Sequence, residues 1–197
     1  MKLIIASNNE HKIREIREIL GGKFEEVLSM KEAGINVNVV ENGKTFLENA
    51  RKKAMEIADA LPKGGYAVLA DDSGLAVDAL NGEPGVYSAR FAGEGHDDKA
   101  NNDKLLKLMD GVPYKDRGCE FICAMVLARS GANMIEVEGR YRGVLMTEPV
   151  GDNGFGYDPL FFSEDYGKTF AQLTQEQKNA ISHRKRALEL VLQALEA

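Results

Sequence analysis

The chain contains no tryptophan, only two cysteines and five prolines, and aromatic residues make up 7% of its 197 positions. Cys119 and Cys123 are spaced CxxxC inside an apolar run with no histidine close by, which fits neither a zinc site nor a redox pair. Both are expected to be buried, reduced thiols. No apolar run approaches the length that spans a bilayer, and residues 1–6 are too short and too quickly polar for a signal peptide. A cytoplasmic protein without a membrane partner is therefore expected. Positive charge is also in deficit. The formal net charge of −6 argues against a surface built for polymeric nucleic acid but leaves small anions open. Low-complexity tracts and internal repeats are missing too. With 44% hydrophobic and 28% charged residues, the chain reads as one globular domain over 1–197, long enough to bury a core without disulfides or a structural metal.

What is present centres on Ala70-Asp71-Asp72-Ser73-Gly74, which follows the apolar run Tyr66-Ala67-Val68-Leu69. Two adjacent carboxylates at the end of a buried strand suit a hard cation such as Mg²⁺, because the strand fixes the backbone while the following turn lets side chains converge. The same residues are also common turn formers, and the pentapeptide alone does not separate the two readings.

Residues 2–6 read as a short buried strand, followed by Ser7-Asn8-Asn9-Glu10 and then by Ile13, Ile16, Ile19 and Leu20 at helical spacing. Asn8 or Asn9 could cap that helix, and the uncapped amides of its first turn, with Lys12 beside them, would cradle phosphate. The glycines and GK[ST] ending of a Walker loop are missing. The alternation Ile35, Val37, Val39 predicts a strand that delivers Glu41 to its end, and Thr45 with Glu48 makes a capping box for a helix through Leu61. A strand over 66–70, a turn at Asp71-Asp72 and a short strand over 75–78 are expected next. A long structured loop follows over 81–95, then a helix through Leu105 and Met109. Residues 120–128 and 134–141 read as a long antiparallel hairpin joined by Ser130-Gly131-Ala132-Asn133. The loop Gly151-Asp152-Asn153-Gly154-Phe155-Gly156-Tyr157-Asp158-Pro159 offers an aromatic for a flat ligand to stack on. Thr174 with Gln177 should cap a short helix, and Ser182 a last one carrying Leu188, Val191 and Leu192. His183-Arg184-Lys185-Arg186 would then fill that helix's first turn, where cations oppose the macrodipole, so an anion between them is expected.

Taken together, these motifs resemble the noncanonical purine nucleoside triphosphate pyrophosphatases, the inosine triphosphate pyrophosphatase family. The resemblance runs nearly end to end. It rests on Ser7-Asn8-Asn9-Glu10-His11-Lys12, on Glu41 with Thr45-Phe46-Leu47-Glu48-Asn49-Ala50, on Ala70-Asp71-Asp72-Ser73-Gly74-Leu75, on Pro84-Gly85-Val86-Tyr87-Ser88-Ala89-Arg90, on Phe155-Gly156-Tyr157-Asp158-Pro159 and on Ser182-His183-Arg184. Ser7 stands where many members have Thr, and Asp152-Asn153 replaces a more glycine-rich approach to Phe155. The resemblance implies an α/β fold: an elongated mixed β-sheet flanked by helices, with two lobes enclosing a central substrate cleft, in a homodimer. It also implies Mg²⁺-dependent hydrolysis of ITP, dITP and XTP to the monophosphate and pyrophosphate. Glu41 and Asp72 would bind the metal, and Asp72, Lys12 and Glu41 would carry the catalysis. Ser7, Asn8, Asn9, Glu10, His11, Lys12 and Ser73 would bind the substrate, with Ser7 to Asn9, Lys12 and Ser73 at its phosphates. The base would lie against Phe155, Gly156 and Tyr157, with Asp158, Lys178, His183 and Arg184 around its edge. A cationic Arg184 or His183 would donate to the 6-oxo group of hypoxanthine or xanthine, where adenine presents a donor of its own. A nucleotide-binding protein that has lost the chemistry, and a pyrophosphatase acting on pyrimidine or common nucleotides, are the competing readings.

Overall fold

The computed structural model describes residues 1–20, 22–62, 64–129 and 133–196. Its seven-stranded sheet has the order β2-β1-β3-β4-β5-β6-β7. Strand β1 (Lys2–Ala6) runs parallel to both β2 (Glu26–Ser29) and β3 (Tyr66–Val77). At the other edge β5 (Ile135–Leu145), β6 (Phe161–Ser163) and β7 (Lys168–Thr169) pair antiparallel, and β4 (Gly118–Arg129) lies between β3 and β5. The sheet is therefore mixed, as the α/β expectation requires. The turn expected at 130–133 falls largely outside the described residues.

By internal packing the chain divides into two compact units. One comprises Met1–Asp72, Cys123–Gly139 and His183–Ala197, the other Ser73–Ile122 and Arg140–Ser182. In the first, register decides which residues share a face. Leu3 lies beside Ala67 and Ile5 beside Leu69, and alternate residues of a strand point the same way. These four pack with Cys123, Met125 and Leu127 of β4 under helices α1 (Glu10–Leu20) and α5 (His183–Glu196), which contribute Ile13, Ile16, Leu20, Ala187, Leu188 and Val191. Ile4, Ala6, Val68 and Ala70 on the opposite parity are equally buried, and helix α2 (Phe46–Asp59) buries Ala50, Ala54 and Ile57. The parallel β1-α1-β2 and β2-α2-β3 crossovers move across the sheet in opposite directions, so right-handed connections put the two helices on opposite faces. Gly139 lets α5 sit flush on the sheet, since a Cβ there would lie 2.3 Å from the His183 carbonyl oxygen and 2.4 Å from the Ala187 nitrogen.

The second unit has its own core. Phe161 packs on Phe121 and Phe170 with ring centroids 4.3 and 4.8 Å apart, and Leu75, Val77, Met109, Leu145 and Leu160 close around them. Helix α3 (Asp98–Leu108), capped by the Asp97 carboxylate, and the short α4 (Gln175–Ile181), with its expected Thr174/Gln177 capping box, belong to this unit. The long loop over 81–95 follows the 3₁₀ turn Asp78–Leu80 and contains a second, Gly85–Arg90.

Two local expectations are corrected. Asp71-Asp72-Ser73-Gly74 is no turn: β3 runs unbroken through it for 12 residues. Sheet neighbours override turn propensity here. Residues 35–39 form no strand. Ile35, Val37 and Val39 are half-buried and alternate with exposed neighbours, but none lies in a ladder. Strand β2, which the sequence reading did not assign, supplies the edge instead.

Burial pushes the thiols of Cys119 and Cys123 up to about 12, with Asp71 adding to the effect at Cys123. Thiol chemistry needs the thiolate, so neither should react at pH 8 in the native protein. A disulfide reagent should titrate no thiols before unfolding and both in urea; modification at native-state rates would contradict this burial.

Candidate active site

Because β3 continues as a strand, Asp71 and Asp72 point to opposite faces of the sheet. Both carboxylates lie just beyond Ala6 and Ala70, the last paired residues of β1 and β3. The order β2-β1-β3 makes this a topological switch point, where open α/β sheets leave a crevice beyond their strand ends.

Asp71 takes the parity of Ala67 and Leu69, so its side chain enters the apolar face shared with α1 and α5. It is 2% exposed. Its Oδ2 lies 3.1 Å from Lys12 Nζ and 3.5 Å from Arg184 Nη2. Arg184 Nη1 is paired in turn with Glu15, another buried carboxylate, and the Cys123 thiol lies 3.9 Å from Asp71 Oδ2. Burial alone would raise the Asp71 pKa, but Lys12, Arg184 and Lys53 outweigh it and hold the carboxyl well below its ordinary range. Lys12 and Arg184 are held cationic in the same way, their carboxylate partners overcoming burial.

Asp72 meets different surroundings. Its Oδ2 accepts a hydrogen bond from Asn49 Nδ2 at 2.9 Å. Burial, with a further contribution from Glu41, raises its pKa against the opposing pull of Lys53 and Lys12. Glu41 stands on a loop that α2 fastens residue by residue. Lys53 Nζ reaches Glu41 Oε2 at 3.1 Å and the Asp71 carbonyl at 2.6 Å, while Asn49 Oδ1 accepts from the Gly43 amide at 2.7 Å. Thr45 caps α2 by accepting from the Glu48 amide, while Glu48 accepts from Lys44 rather than closing the box onto Thr45. The side chains of α2, not a strand end, thus place Glu41.

The oxygen donors of Glu41 and Asp72 suit a hard divalent cation. Mg²⁺ is commonly held by one or two carboxylates with the remaining positions taken by phosphate and water. No cluster of three or more His, Cys, Asp or Glu that could hold a metal exists among the described residues, so a complete protein cage is not what this arrangement offers.

The loop before α1 is more closed than expected. Asn9 Oδ1 accepts from the His11 and Lys12 amides at 3.0 and 3.2 Å, and Ser7 Oγ accepts from the Asn9 amide. Those first-turn amides are capped rather than open for a phosphate. Asn8, Asn9, Glu10 and His11 are exposed, and Ser7 and Lys12 half-buried.

In the second unit Asp158 Oδ2 accepts from Lys178 Nζ at 2.6 Å and from the Phe155 amide at 3.0 Å. The same ammonium lies 4.6 Å from the Phe155 ring centroid. Gly154 must be glycine for this contact, because its φ is +78° and a Cβ would fall 2.0 Å from Asp158 Oδ2. The structure thus brings Phe155, Asp158 and Lys178 together, and separately joins Lys12 to Arg184. His183 is buried at the start of α5. The Arg184 guanidinium, 1% exposed, pairs with Glu15 and Asp71, and these carboxylates stabilise positive charge at the helix start.

A family model described as "Ham1 family" matches residues 3–194. The chain belongs to the Ham1 family. It is 51% identical over 191 residues to a dITP/XTP pyrophosphatase of Clostridium perfringens, covering 95% of this chain and 94% of that one, and 45% identical over 194 residues to the Bacillus subtilis dITP/XTP pyrophosphatase, covering 98% and 96%. The Ham1 protein structure from Staphylococcus aureus superposes with a TM-score of 0.87 at 42% identity, over 100% of this chain and 98% of its own. The dITP/XTP pyrophosphatase structure from Mycobacterium abscessus gives 0.77 at 41%, over 99% and 100%.

Within this Ham1 chain, the sequence did not single out Glu15, Lys53 or Asn49 as site residues, and it offered Asp71 only as one of two adjacent carboxylates suited to a cation. A signal existed for Glu15. Lys12, Glu15, Ile16 and Ile19 share one face of α1 at i, i+3 and i+4 spacing, so a carboxylate beside a buried stripe needed a cationic partner. Glu15→Ala should leave Arg184 undercompensated in the interior and lower unfolding stability by about 3–5 kcal/mol, as losing one partner of a buried pair does. Urea unfolding measures this; a loss below about 1 kcal/mol, the usual worth of an exposed pair, would show that the pair is effectively solvated.

Proposed function

We propose that this chain hydrolyses noncanonical purine nucleoside triphosphates, ITP, dITP and XTP, between the α and β phosphates, releasing the monophosphate and pyrophosphate. The relatives named dITP/XTP pyrophosphatase support the reaction. The observation that carries it in this chain is the placement of Asp72, a buried carboxylate that accepts from Asn49, beside Lys53, which reaches both Glu41 and the Asp71 carbonyl. Held there, Asp72 would orient the attacking water or take its proton. Lys12, kept cationic by Asp71, supplies positive charge for the phosphate tail, and the exposed loop around Asn8 and Asn9 adds polar contacts. Glu41 and Asp72 would hold Mg²⁺, which when bound neutralises phosphate oxygens and acidifies water. Phe155 offers a stacking face to the purine, an interaction that every base accepts and that gives affinity more than discrimination. The chain is proposed to act as a cytoplasmic homodimer; no helix among the described residues is long and apolar enough to cross a membrane.

A panel of nucleoside triphosphates with Mg²⁺, scored for pyrophosphate against orthophosphate, tests the reaction. IMP and pyrophosphate are expected from ITP, with turnover lost on chelation of divalent metal. IDP and orthophosphate would overturn the cleavage position, and binding without turnover would favour a sensing protein instead. Lys12→Ala should lower kcat/KM for ITP about a hundredfold or more, the scale on which a positioned transition-state contact acts. Wild-type kcat/KM in that variant would place the phosphate grip elsewhere.

A further inference from the structure

The stacking residue Phe155 is followed by Gly156, whose peptide groups are held from both sides by one helix. Asp98 Oδ2 accepts from the Gly156 amide at 2.7 Å, and Asn102 Nδ2 donates to the Gly156 carbonyl at 2.9 Å. Asp98 and Asn102 are four residues apart on α3, so they project from adjacent turns of one face. Gly156 has φ of +61°, the left-handed conformation that favours glycine, and both of its backbone groups meet the helix in that conformation. Around this grip, the Tyr157 hydroxyl donates to the Ser88 carbonyl at 2.7 Å and Asp158 Oδ2 takes the Phe155 amide. Helix α3 is itself fastened to the preceding 3₁₀ turn, with Asn101 accepting from the Ala92 amide at 2.7 Å and donating to the Ala89 carbonyl at 3.2 Å.

One further detail marks the grip as more than packing. Asn102 Oδ1 is buried and makes no hydrogen bond within the described structure. A buried acceptor without a partner is unfavourable, and leucine of similar size would avoid it. What asparagine supplies there is the Nδ2 bond to Gly156. We propose that Asp98 and Asn102 are positioning residues that set the Phe155 ring for the purine, acting through the Gly156 backbone rather than by touching the substrate. This inference rests on the proposed function, since it assigns the clamp to the base end of that reaction. It makes α3 a determinant of how tightly the base is held.

The test compares Asp98→Ala and Asn102→Leu with the wild-type chain. The expected result is a KM for ITP raised about tenfold with kcat changed less than about twofold, because ground-state placement of the base is weakened while the phosphate chemistry is not. Competitive inhibition by inorganic triphosphate, which has no base, should be unchanged, and Asn102→Leu should melt no lower than wild type. The Gly156 amide should exchange with solvent at least about tenfold faster in Asp98→Ala, having lost its acceptor. A fall in melting temperature with a parallel fall in kcat and in triphosphate affinity would mean that the clamp is only structural and would overturn the proposal. So would an unchanged KM for ITP. If the wild-type chain does not turn over ITP, the functional reading fails by itself and amide exchange alone judges the clamp, unaltered Gly156 exchange overturning it.

Discussion

A carboxylate placed on the apolar face of a strand has to be compensated or the face cannot close, and Asp71 imposes that condition on the first unit. Removing one such ion from water costs several kcal/mol, comparable with what burying two or three large aliphatic side chains returns. The compensation comes from three directions. Lys12 reaches it from α1 and Arg184 from α5, while Lys53 of α2 bonds its carbonyl. Each requires its helix at a defined height against the sheet, and the Glu15 pair to Arg184 ties α1 to α5 directly. Gly139 permits the close approach of α5 that brings Arg184 inside.

This arrangement divides labour between two adjacent residues of the same type. Alternation along β3 sends Asp71 into an interior where Lys12 and Arg184 face it and Asp72 toward Asn49, with Glu41 held nearby on the loop that α2 fastens. The first is driven to stay ionised, the second to hold a proton more tightly. One strand thereby produces an anchor and a reactive carboxylate from the dipeptide Asp-Asp. In the second unit a comparable economy appears, with Lys178 both neutralising Asp158 and lying over the ring of Phe155.

Much of the architecture is legible in the sequence because hydrophobic period and capping chemistry are local. The Thr174/Gln177 box, the α2 start at Thr45 and the stripe of α5 all occur where their residues predict. Misread segments share one cause. At 71–74 four turn-favouring residues are held extended, and at 35–39 a regular alternation gives an extended chain with no ladder, so strand status depended on partners distant in sequence. The site was legible in its residue types but not in its pairings. Motif reading reached Lys12, Glu41, Asp72 and Arg184 but not the pairing of Arg184 with Glu15, which lies 169 positions away and carries no motif of its own. At this basic helix start the structure adds two carboxylates, Glu15 and Asp71, that pair with Arg184.

The neighbouring aspartates have opposite tasks, and stability and turnover measured together on Asp71→Asn and Asp72→Asn separate them. Asp71→Asn should lose about 3–5 kcal/mol of unfolding free energy, as expected when a buried pair is broken. Asp72→Asn should stay within about 1 kcal/mol of wild type while hydrolysing no ITP. An Asp71→Asn variant as stable as wild type, or an Asp72→Asn variant that is folded and fully active, would contradict this division of tasks.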